Sequence, residues 1–247
     1  MNFEIYNEDC LEGMKRIPDG SVDFICTDLP YGITAAPFDK RIPFEPMWEQ
    51  FKRVTKHNAA IALFSQMPFG AELIMSNRKM FRYEWIWEKR IAVGFYNANK
   101  MPLRAHENIL IFYQQLPTYN PQFAKGKSYK RNHSTIRQTV YSNTERIPTV
   151  NDGKRFPRDV QKFATAYGKR RLFHSTEKPT DLLEYLIKTY TDEGETVLDA
   201  TMGSGSTGVA AINTGRNFIG FELEQKFFDI AQKRLTDAQN DKLQRLF

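Results

Sequence analysis

The stretch VLDATMGSGSTGVAA, Val197–Ala211, decides the fold. It begins with a short apolar run and ends in small helix-compatible residues, so it predicts a strand that turns sharply into a helix. Glycines at 203, 205 and 208 place the pattern G-x-G-x-x-G in that turn. Glycine is needed where a chain turns tightly or where its backbone must approach a ligand closely. In this setting the pattern predicts a nucleotide-type ligand, with a merely tight strand–helix turn as the alternative.

Two acidic residues narrow the choice of ligand. Glu222 follows the next predicted strand, where its carboxylate could accept hydrogen bonds from both hydroxyls of a ribose. Asp199 ends the strand ahead of the glycines, where a negative charge disfavours a pyrophosphate and suits an ammonium group. S-adenosylmethionine carries an ammonium, a sulfonium and a ribose but no phosphate. Electrostatics therefore favour it over NAD.

A second motif, Asp28-Leu29-Pro30-Tyr31, ends the predicted strand Val22–Asp28. Ligands of parallel sheets bind beyond the carboxyl ends of the strands, so both motifs are expected on one rim. Because proline and Gly32 are turn formers, a plain turn is the alternative interpretation of this motif.

Strand and helix patterns alternate on both sides of the segment 115–175, which has weak periodicity. This alternation predicts an α/β, Rossmann-like fold with a mostly parallel sheet flanked by helices. We expect a single domain over 1–247 with an insertion at 115–175. Other predicted strands are Ala59–Phe64, Tyr83–Trp87, Ile109–Tyr113, Thr196–Asp199 and Asn217–Phe221, and predicted helices are Pro46–His57, Phe69–Asn77, Thr180–Thr191, Ser206–Thr214 and Glu224–Ala238.

Charge is distributed unevenly along the chain, whose net charge is +6. The segment 115–175 holds 13 Lys or Arg against 3 Asp or Glu, a local charge of +10. Eight tyrosines and phenylalanines are interleaved with these cations. A solvated basic loop is one interpretation, but aromatic and cationic residues together favour a nucleic acid over a membrane as the partner.

Several classes of protein are disfavoured by composition. No apolar stretch approaches the roughly 20 residues that span a bilayer, and the N-terminus lacks the apolar core of a signal peptide. Cys10 and Cys26 are the only cysteines, and the four histidines are scattered. We therefore expect a cytoplasmic protein without a disulfide framework and without a metal.

The order of the motifs resembles the DNA amino-methyltransferases of the β group, in which D-P-P-Y or S-P-P-Y precedes a target-recognition insertion and the cofactor glycines come last. TDLPYG stands early here, the basic insertion in the middle and LDATMGSGSTGVAA late. Three further stretches resemble family segments. They are Tyr6–Gly32, His106–Phe112 (HENILIF) and His174–Ile187 (HSTEKPTDLLEYLI).

The resemblance implies a catalytic role for the D-L-P-Y turn. Asp28 and the Leu29 carbonyl would accept hydrogen bonds from the amino group of a flipped adenine, Pro30 would stiffen the turn, and Tyr31 would stack on the base. Leucine replaces the usual proline at 29, which loosens the backbone but keeps the carbonyl, so activity is expected to survive.

The resemblance also implies cofactor contacts. Asp199, Gly203, Gly205 and Thr207 would contact the methionine portion of S-adenosylmethionine, Glu222 its ribose, and Asp9 and Cys10 its adenine. Lys178 and Pro179 would flank the methionine end. Asp28, Met202, Ser204 and Leu223 complete the expected cofactor set, and a weaker cofactor-side motif comprises Phe64, Ser65, Gln66 and Phe69.

The expected partner is double-stranded DNA, with a homodimer as a further expectation from the family. Aspartate at the first motif position favours adenine N-6 over the cytosine amino group N-4, which stays as the alternative. RNA is a weaker alternative substrate. Neither cysteine stands in a Pro-Cys turn, which argues against attack by a cytosine carbon. Alternatives from other classes are a nicotinamide-dependent oxidoreductase and an inactive DNA-binding protein. Candidate DNA contacts are Arg137, Gln138, Arg155, Arg158, Arg170 and Arg171.

Overall fold

The computed structural model describes residues 2–32, 39–131, 149–165 and 177–244. The chain divides into two compact units, Met1–Asn120 with Asp159–Phe247, and Pro121–Arg158. The smaller unit contains two short antiparallel pairs. Its strands are β6 (Ala124–Lys125), β7 (Tyr129–Arg131), β8 (Thr149–Asn151) and β9 (Lys154–Arg155).

The larger unit is built on an eight-stranded sheet. Its strands are β1 (Phe3–Tyr6), β2 (Val22–Thr27), β3 (Thr55–Ser65), β4 (Phe81–Val93), β5 (Arg104–Phe112), β10 (Val160–Phe163), β11 (Thr196–Asp199) and β12 (Asn217–Phe221). Their order across the sheet is β1-β12-β11-β2-β3-β5-β4-β10. Only β5 runs against its neighbours, so the mostly parallel sheet predicted from the alternating pattern is confirmed.

Helices cover both faces of this sheet. They are α1 (Cys10–Met14), α2 (Phe44–Val54), α3 (Phe69–Ser76), α4 (Thr180–Tyr190), α5 (Ser206–Thr214) and α6 (Gln225–Gln244). Phe24 and Cys26 of β2 point into a core lined by α4, α5 and α6, while Ile25 between them points into a second core lined by α1, α2 and α3. Burial on both faces is why the centre of β2, residues 24–26, is continuously apolar rather than alternating.

Several predicted boundaries are wrong. The predicted strands Tyr83–Trp87 and Ile109–Tyr113 and the predicted helix Glu224–Ala238 are all longer in the structure, and one helix is shorter at its end. The predicted helix Pro46–His57 ends at Val54, and β3 begins at Thr55. The Thr55 hydroxyl donates to the Phe51 carbonyl at 2.7 Å, and Thr55 pairs with Val22 in the sheet. Tertiary strand pairing thus overrides the helical spacing of the preceding residues, and it places His57 in a strand.

The strand directions bring several strand ends to one edge. β2, β3 and β11 run parallel, and β4 is antiparallel to β5, which is itself antiparallel to β3. The carboxyl ends of β2, β4 and β11 therefore share an edge, here called the rim.

Within the described ranges, no helix has the length and apolar character needed to cross a bilayer.

Tyr190 ties α4 to the sheet. Its hydroxyl oxygen accepts a hydrogen bond from the Trp85 indole N–H at 2.6 Å and lies 2.8 Å from the Tyr83 hydroxyl. We expect Tyr190→Phe to lower the free energy of unfolding by about 1–3 kcal/mol, because the buried indole N–H loses its acceptor. Urea titration followed by fluorescence measures this loss. Tyr83→Phe is the matched control, since Tyr190 still accepts from Trp85, and equal effects of the two variants would contradict the assignment.

Candidate active site

The glycine turn connects β11 to α5 at the rim, and its glycines have different physical requirements. Gly203 has a φ of +52°, and nothing lies within 4 Å of the position that a Cβ would take. Gly205 has a φ of +81°, and a Cβ there would lie 2.7 Å from a methyl group of Leu235. At Gly208 a Cβ would lie 2.7 Å from the Phe218 ring. Gly203 therefore leaves open space at the rim, whereas the other two permit close packing of α5.

Asp199 lies under this turn and is almost fully buried. One carboxylate oxygen accepts from the Thr201 N–H at 3.1 Å, and the hydroxyls of Thr27 and Thr207 also bond to it. Burial is the largest effect and raises the pKa of Asp199 to about 6, although these hydrogen bonds oppose the shift. The carboxylate is thus held close to a change of charge near neutral pH.

Glu222 closes the other side of the turn. Its two carboxylate oxygens accept from the backbone N–H groups of Gly203 at 2.9 Å and Glu224 at 2.8 Å. Burial raises the pKa of Glu222, and the same backbone hydrogen bonds partly offset that rise. Each oxygen keeps a further lone pair, so the carboxylate can still accept from ligand hydroxyls.

The D-L-P-Y turn meets the glycine turn through two threonines. The Thr201 hydroxyl donates to the Asp28 carbonyl at 3.0 Å, and the hydroxyls of Thr27 and Thr201 lie 2.9 Å apart. The ends of β2 and β11 are therefore linked by side chains as well as by strand pairing. Asp28 and Asp199 belong to adjacent strand ends at the same rim.

Asp28 is the first member of a row of four buried or partly buried charges. Its carboxylate forms an ion pair with Lys178, and the Lys178 ammonium lies 3.6 Å from a carboxylate oxygen of Glu107. The other oxygen of Glu107 lies 2.5 Å from the Lys89 ammonium. The four formal charges alternate in sign and sum to zero, so each has a counter-charge beside it. We name this arrangement the charge row.

The pKa directions agree with this pairing. Burial alone would lower the pKa of Lys178, but Asp28 and Glu107 together raise it. Burial alone would raise the pKa of Glu107, but Lys178 and Lys89 together lower it. Both groups are therefore charged at neutral pH, since each neighbour favours the ionised form.

Tyr31 lies beside the Asp28 carboxylate. Its hydroxyl donates to the second oxygen of Asp28 at 2.9 Å, and burial followed by the Asp28 charge raises its pKa. Its ring stacks on Phe69 with a centroid distance of 4.8 Å, so one face is covered. Arg41 donates to the Tyr31 carbonyl at 2.7 Å, which holds the backbone of the turn.

The remaining predicted residues lie in varied surroundings. Asp9 caps α1 by accepting from the Leu11 N–H at 2.8 Å, and burial raises the pKa of the neighbouring Cys10 thiol to about 12. Leu223 is exposed. The other predicted residues with a buried side chain are Leu29, Phe64, Ser65, Phe69, Pro179, Met202, Ser204 and Thr207. Pro30 and Gln66 are partly exposed.

Sequence reasoning missed an ion pair that supports the glycine turn. Arg234 of α6 donates to the Ser204 carbonyl and hydroxyl, both at 2.8 Å, and to Glu177 at 2.7 Å. The Ser206 hydroxyl also donates to Glu177, at 3.0 Å. The sequence separation of 57 residues between Glu177 and Arg234 left no local pattern to detect.

The candidate DNA contacts fall in the basic segment. Arg137, Gln138, Arg170 and Arg171 lie outside the described residues. In the smaller unit, Arg155 bonds to Asn151 and to the Lys127 carbonyl, and its guanidinium lies 5.0 Å from the Tyr129 ring centroid. Its side chain therefore supports that unit internally. Arg158 belongs to the same unit and is exposed.

Comparison with known proteins shows which family the chain resembles. Residues 22–233 match the family N6_N4_Mtase, described as DNA methylase. The type II methyltransferase M1.MboII of Moraxella bovis is 26% identical, with 92% of this chain and 94% of that protein covered. M.HinfI of Haemophilus influenzae is 28% identical, with coverage of 95% and 68%.

Solved structures share the fold. A complex of M1.HpyAVI with SAM has a TM-score of 0.64 at 24% identity and covers 94% of this chain and 100% of that one. The cytosine-N4-specific PvuII DNA methyltransferase has a TM-score of 0.70 at 14% identity, with coverage of 97% and 92%.

The raised pKa of Asp199 predicts a pH effect on stability. Because the folded protein binds this proton more tightly than the unfolded chain, the stabilisation is complete below about pH 4 and is lost as the pH rises through about 6. We expect the stability of Asp199→Asn, relative to wild type, to increase by up to about 3 kcal/mol between pH 4 and 7. Denaturant titrations at each pH measure this difference. Asp237→Asn, an exposed change on α6, is the control, and a flat difference for Asp199→Asn would contradict the prediction.

The charge row predicts a large cost for removing its inner carboxylate. Glu107→Gln leaves Lys89 buried without a counter-charge, and we expect unfolding free energy to fall by about 3–5 kcal/mol. The double variant Lys89→Met/Glu107→Gln should recover part of the loss. The matched control is Glu88→Gln on the neighbouring strand β4, which breaks the exposed Lys162–Glu88 pair and should cost under about 1 kcal/mol. Similar losses for Glu107→Gln and Glu88→Gln would contradict the role of the row.

Proposed function

Because the chain belongs to the N6_N4_Mtase family of DNA methylases, we propose that it transfers a methyl group to the N-6 amino group of adenine in double-stranded DNA. The chain is a DNA methyltransferase, and S-adenosylmethionine is its methyl donor. The choice of adenine and the roles of individual residues are the proposed part. The residue roles are supported by the meeting of the Asp28 carboxylate and the Asp199–Glu222 turn at one rim, and the choice of adenine by aspartate at position 28.

The residues of the glycine turn fit this donor. The turn offers two carboxylates and, between Val197 and Ala211, no Lys or Arg, which suits a ligand with an ammonium and ribose hydroxyls rather than a phosphate. The open space beside Gly203 leaves room for the ligand to approach the backbone. When bound, S-adenosylmethionine supplies a methyl group on a sulfonium, which is already an activated electrophile.

Asp28 activates the amino group by accepting its hydrogen bonds. An adenine amino group is a poor nucleophile because its lone pair is delocalised into the ring. Acceptors at the Asp28 carboxylate and the Leu29 carbonyl would favour a tetrahedral nitrogen whose lone pair points outward. Transfer of the methyl group from sulfur to nitrogen would require one amino proton to leave, and the Asp28 carboxylate would receive it. The protein's contribution is mainly positioning.

The target adenine must compete with the two partners that Asp28 already has. Lys178 and Tyr31 occupy its two oxygens, so an entering amino group displaces or shares one of them. Glu107 gives Lys178 a second counter-charge, and the ammonium therefore remains paired when Asp28 turns toward the base. Phe69 covers one face of the Tyr31 ring, so a target base that stacks on Tyr31 would use the opposite face.

The other cofactor contacts follow the same layout. Asp199, Gly203, Gly205, Thr207, Met202 and Ser204 would surround the methionine portion, with Glu222 and Leu223 at the ribose. Asp9 and Cys10 would flank the adenine. Lys178 and Pro179 would lie at the methionine end, although Lys178 reaches Asp28 as well. We further propose action in the cytoplasm, where the DNA is, and the homodimer stays a prediction that sedimentation can test.

Incubation of unmethylated DNA with labelled S-adenosylmethionine, followed by nucleoside analysis, tests the function. We expect labelled N6-methyladenine. Labelled N4-methylcytosine would instead assign the alternative base, and the absence of both from folded, cofactor-bound protein would overturn methyl transfer to DNA.

The role of Asp28 has its own test. Asp28→Ala should lower the transfer rate by at least about 100-fold, the scale seen when an active-site hydrogen-bonding group is lost. Calorimetry should show cofactor affinity within a few-fold of wild type. Leu29→Pro, which keeps the carbonyl, is the matched control and should retain activity. Loss of cofactor binding in Asp28→Ala would place Asp28 in a different role.

A further inference from the structure

The tip of the hairpin between β4 and β5 carries an unusual combination of residues. From 89 to 106 the sequence has four Lys or Arg and no Asp or Glu. A 3-10 helix, Phe95–Asn97, forms the turn. Phe95 is 81% exposed, Tyr96 is fully exposed, and other apolar side chains along the tip are also exposed. Large apolar side chains gathered at the surface mark a place where something binds.

The base of the hairpin is linked to the catalytic residues. β4 ends at the rim that holds the ends of β2 and β11, so the tip extends from the same edge of the sheet as the D-L-P-Y and glycine turns. Its base carries Lys89 and Glu107, the inner half of the charge row. Arg104 at the foot of the tip donates to Gln66 at 3.1 Å, which fixes it to the end of β3. The hairpin tip is therefore anchored at the site and points away from the sheet.

We propose that this tip is a second DNA-contacting element, separate from the 115–175 insertion. In this proposal Phe95 and Tyr96 enter the duplex at the target base pair and stack on the bases that the extruded adenine leaves exposed, while Arg90 and Lys100 contact flanking phosphates. The inference rests on the proposed function, because it takes duplex DNA as the substrate.

The positive charge of the tip and the energy of base stacking favour DNA, rather than another copy of the chain, as the partner that binds the tip. Two such tips would bring together cations only, and like charges oppose that contact. Phosphates complement the same cations. Extruding a base costs a few kcal/mol, and each base–aromatic stack returns about 1–3 kcal/mol. Two exposed aromatic rings on the same edge of the sheet as the catalytic turn are available to offset that cost.

The aromatic part of the proposal is tested with Phe95→Ala/Tyr96→Ala in the full chain. The kcat/KM for methylation of unmethylated duplex DNA should fall about tenfold or more, the loss expected for one or two stacks, while S-adenosylmethionine affinity is unchanged. The control is Met75→Ala, which truncates a side chain 73% exposed on α3, near the start of β4 at the opposite edge. Duplex methylation within twofold of wild type in the double variant would overturn the aromatic role.

The cationic part is tested by binding alone. In anisotropy measurements with a labelled 30-base-pair duplex of arbitrary sequence, Arg90→Gln/Lys100→Gln should reduce the slope of log Kd against log salt by about 2. An unchanged slope would overturn the phosphate contacts. This arm does not need catalysis, so it stays informative if wild-type protein transfers no methyl group and the proposed function itself fails.

Sedimentation of the aromatic variant adds a last check. Conversion of a dimer to a monomer by this variant, with duplex affinity unchanged, would assign the tip to contact with a second copy instead.

Discussion

The charge row Asp28–Lys178–Glu107–Lys89 is the interaction on which the rest of the site depends. Lys89 and Glu107 have side chains only 8% exposed, and taking such charges out of water costs several kcal/mol for each ion unless an opposite charge replaces the water. The row meets that requirement with members from β4, β5, the turn after β2 and the segment before α4. These four parts of the chain are therefore held in one arrangement, because moving any of them would leave a buried charge without its partner.

The same demand for partners shapes the glycine turn. Glu222 accepts hydrogen bonds from two backbone N–H groups, and Asp199 accepts from three donors. Arg234 donates to the Ser204 carbonyl. Polar groups at the rim are thus fixed before a ligand arrives. Gly205 and Gly208 contribute differently, since the absence of a Cβ lets α5 approach α6 and β12. Of the three glycines in the pattern, only Gly203 has open space at the position that a Cβ would take.

Much of the fold could be predicted from local sequence patterns. The strand–turn–helix at Val197–Ala211 and the buried run in β2 could be predicted because the residues that define them are neighbours in sequence. Other features depend on distant partners. Thr55 begins a strand because Val22 pairs with it, and Lys178 faces Asp28 across 150 residues. Glu107 lay within a quoted motif, HENILIF, but nothing in that stretch indicates that two lysines from elsewhere surround it.

The pairing of β1 with β12 has a consequence for biosynthesis. Phe3 lies beside Phe218, so the first strand of the larger unit finds its partner only after more than two hundred further residues have been joined. Gly205 likewise packs on Ala231 and Leu235 of α6. A ribosome makes the D-L-P-Y turn early, yet the nascent chain cannot complete the packing of the glycine turn until α6 has emerged. Such distant contacts slow folding, and a chain that still lacks α6 also lacks the packing that supports the glycine turn.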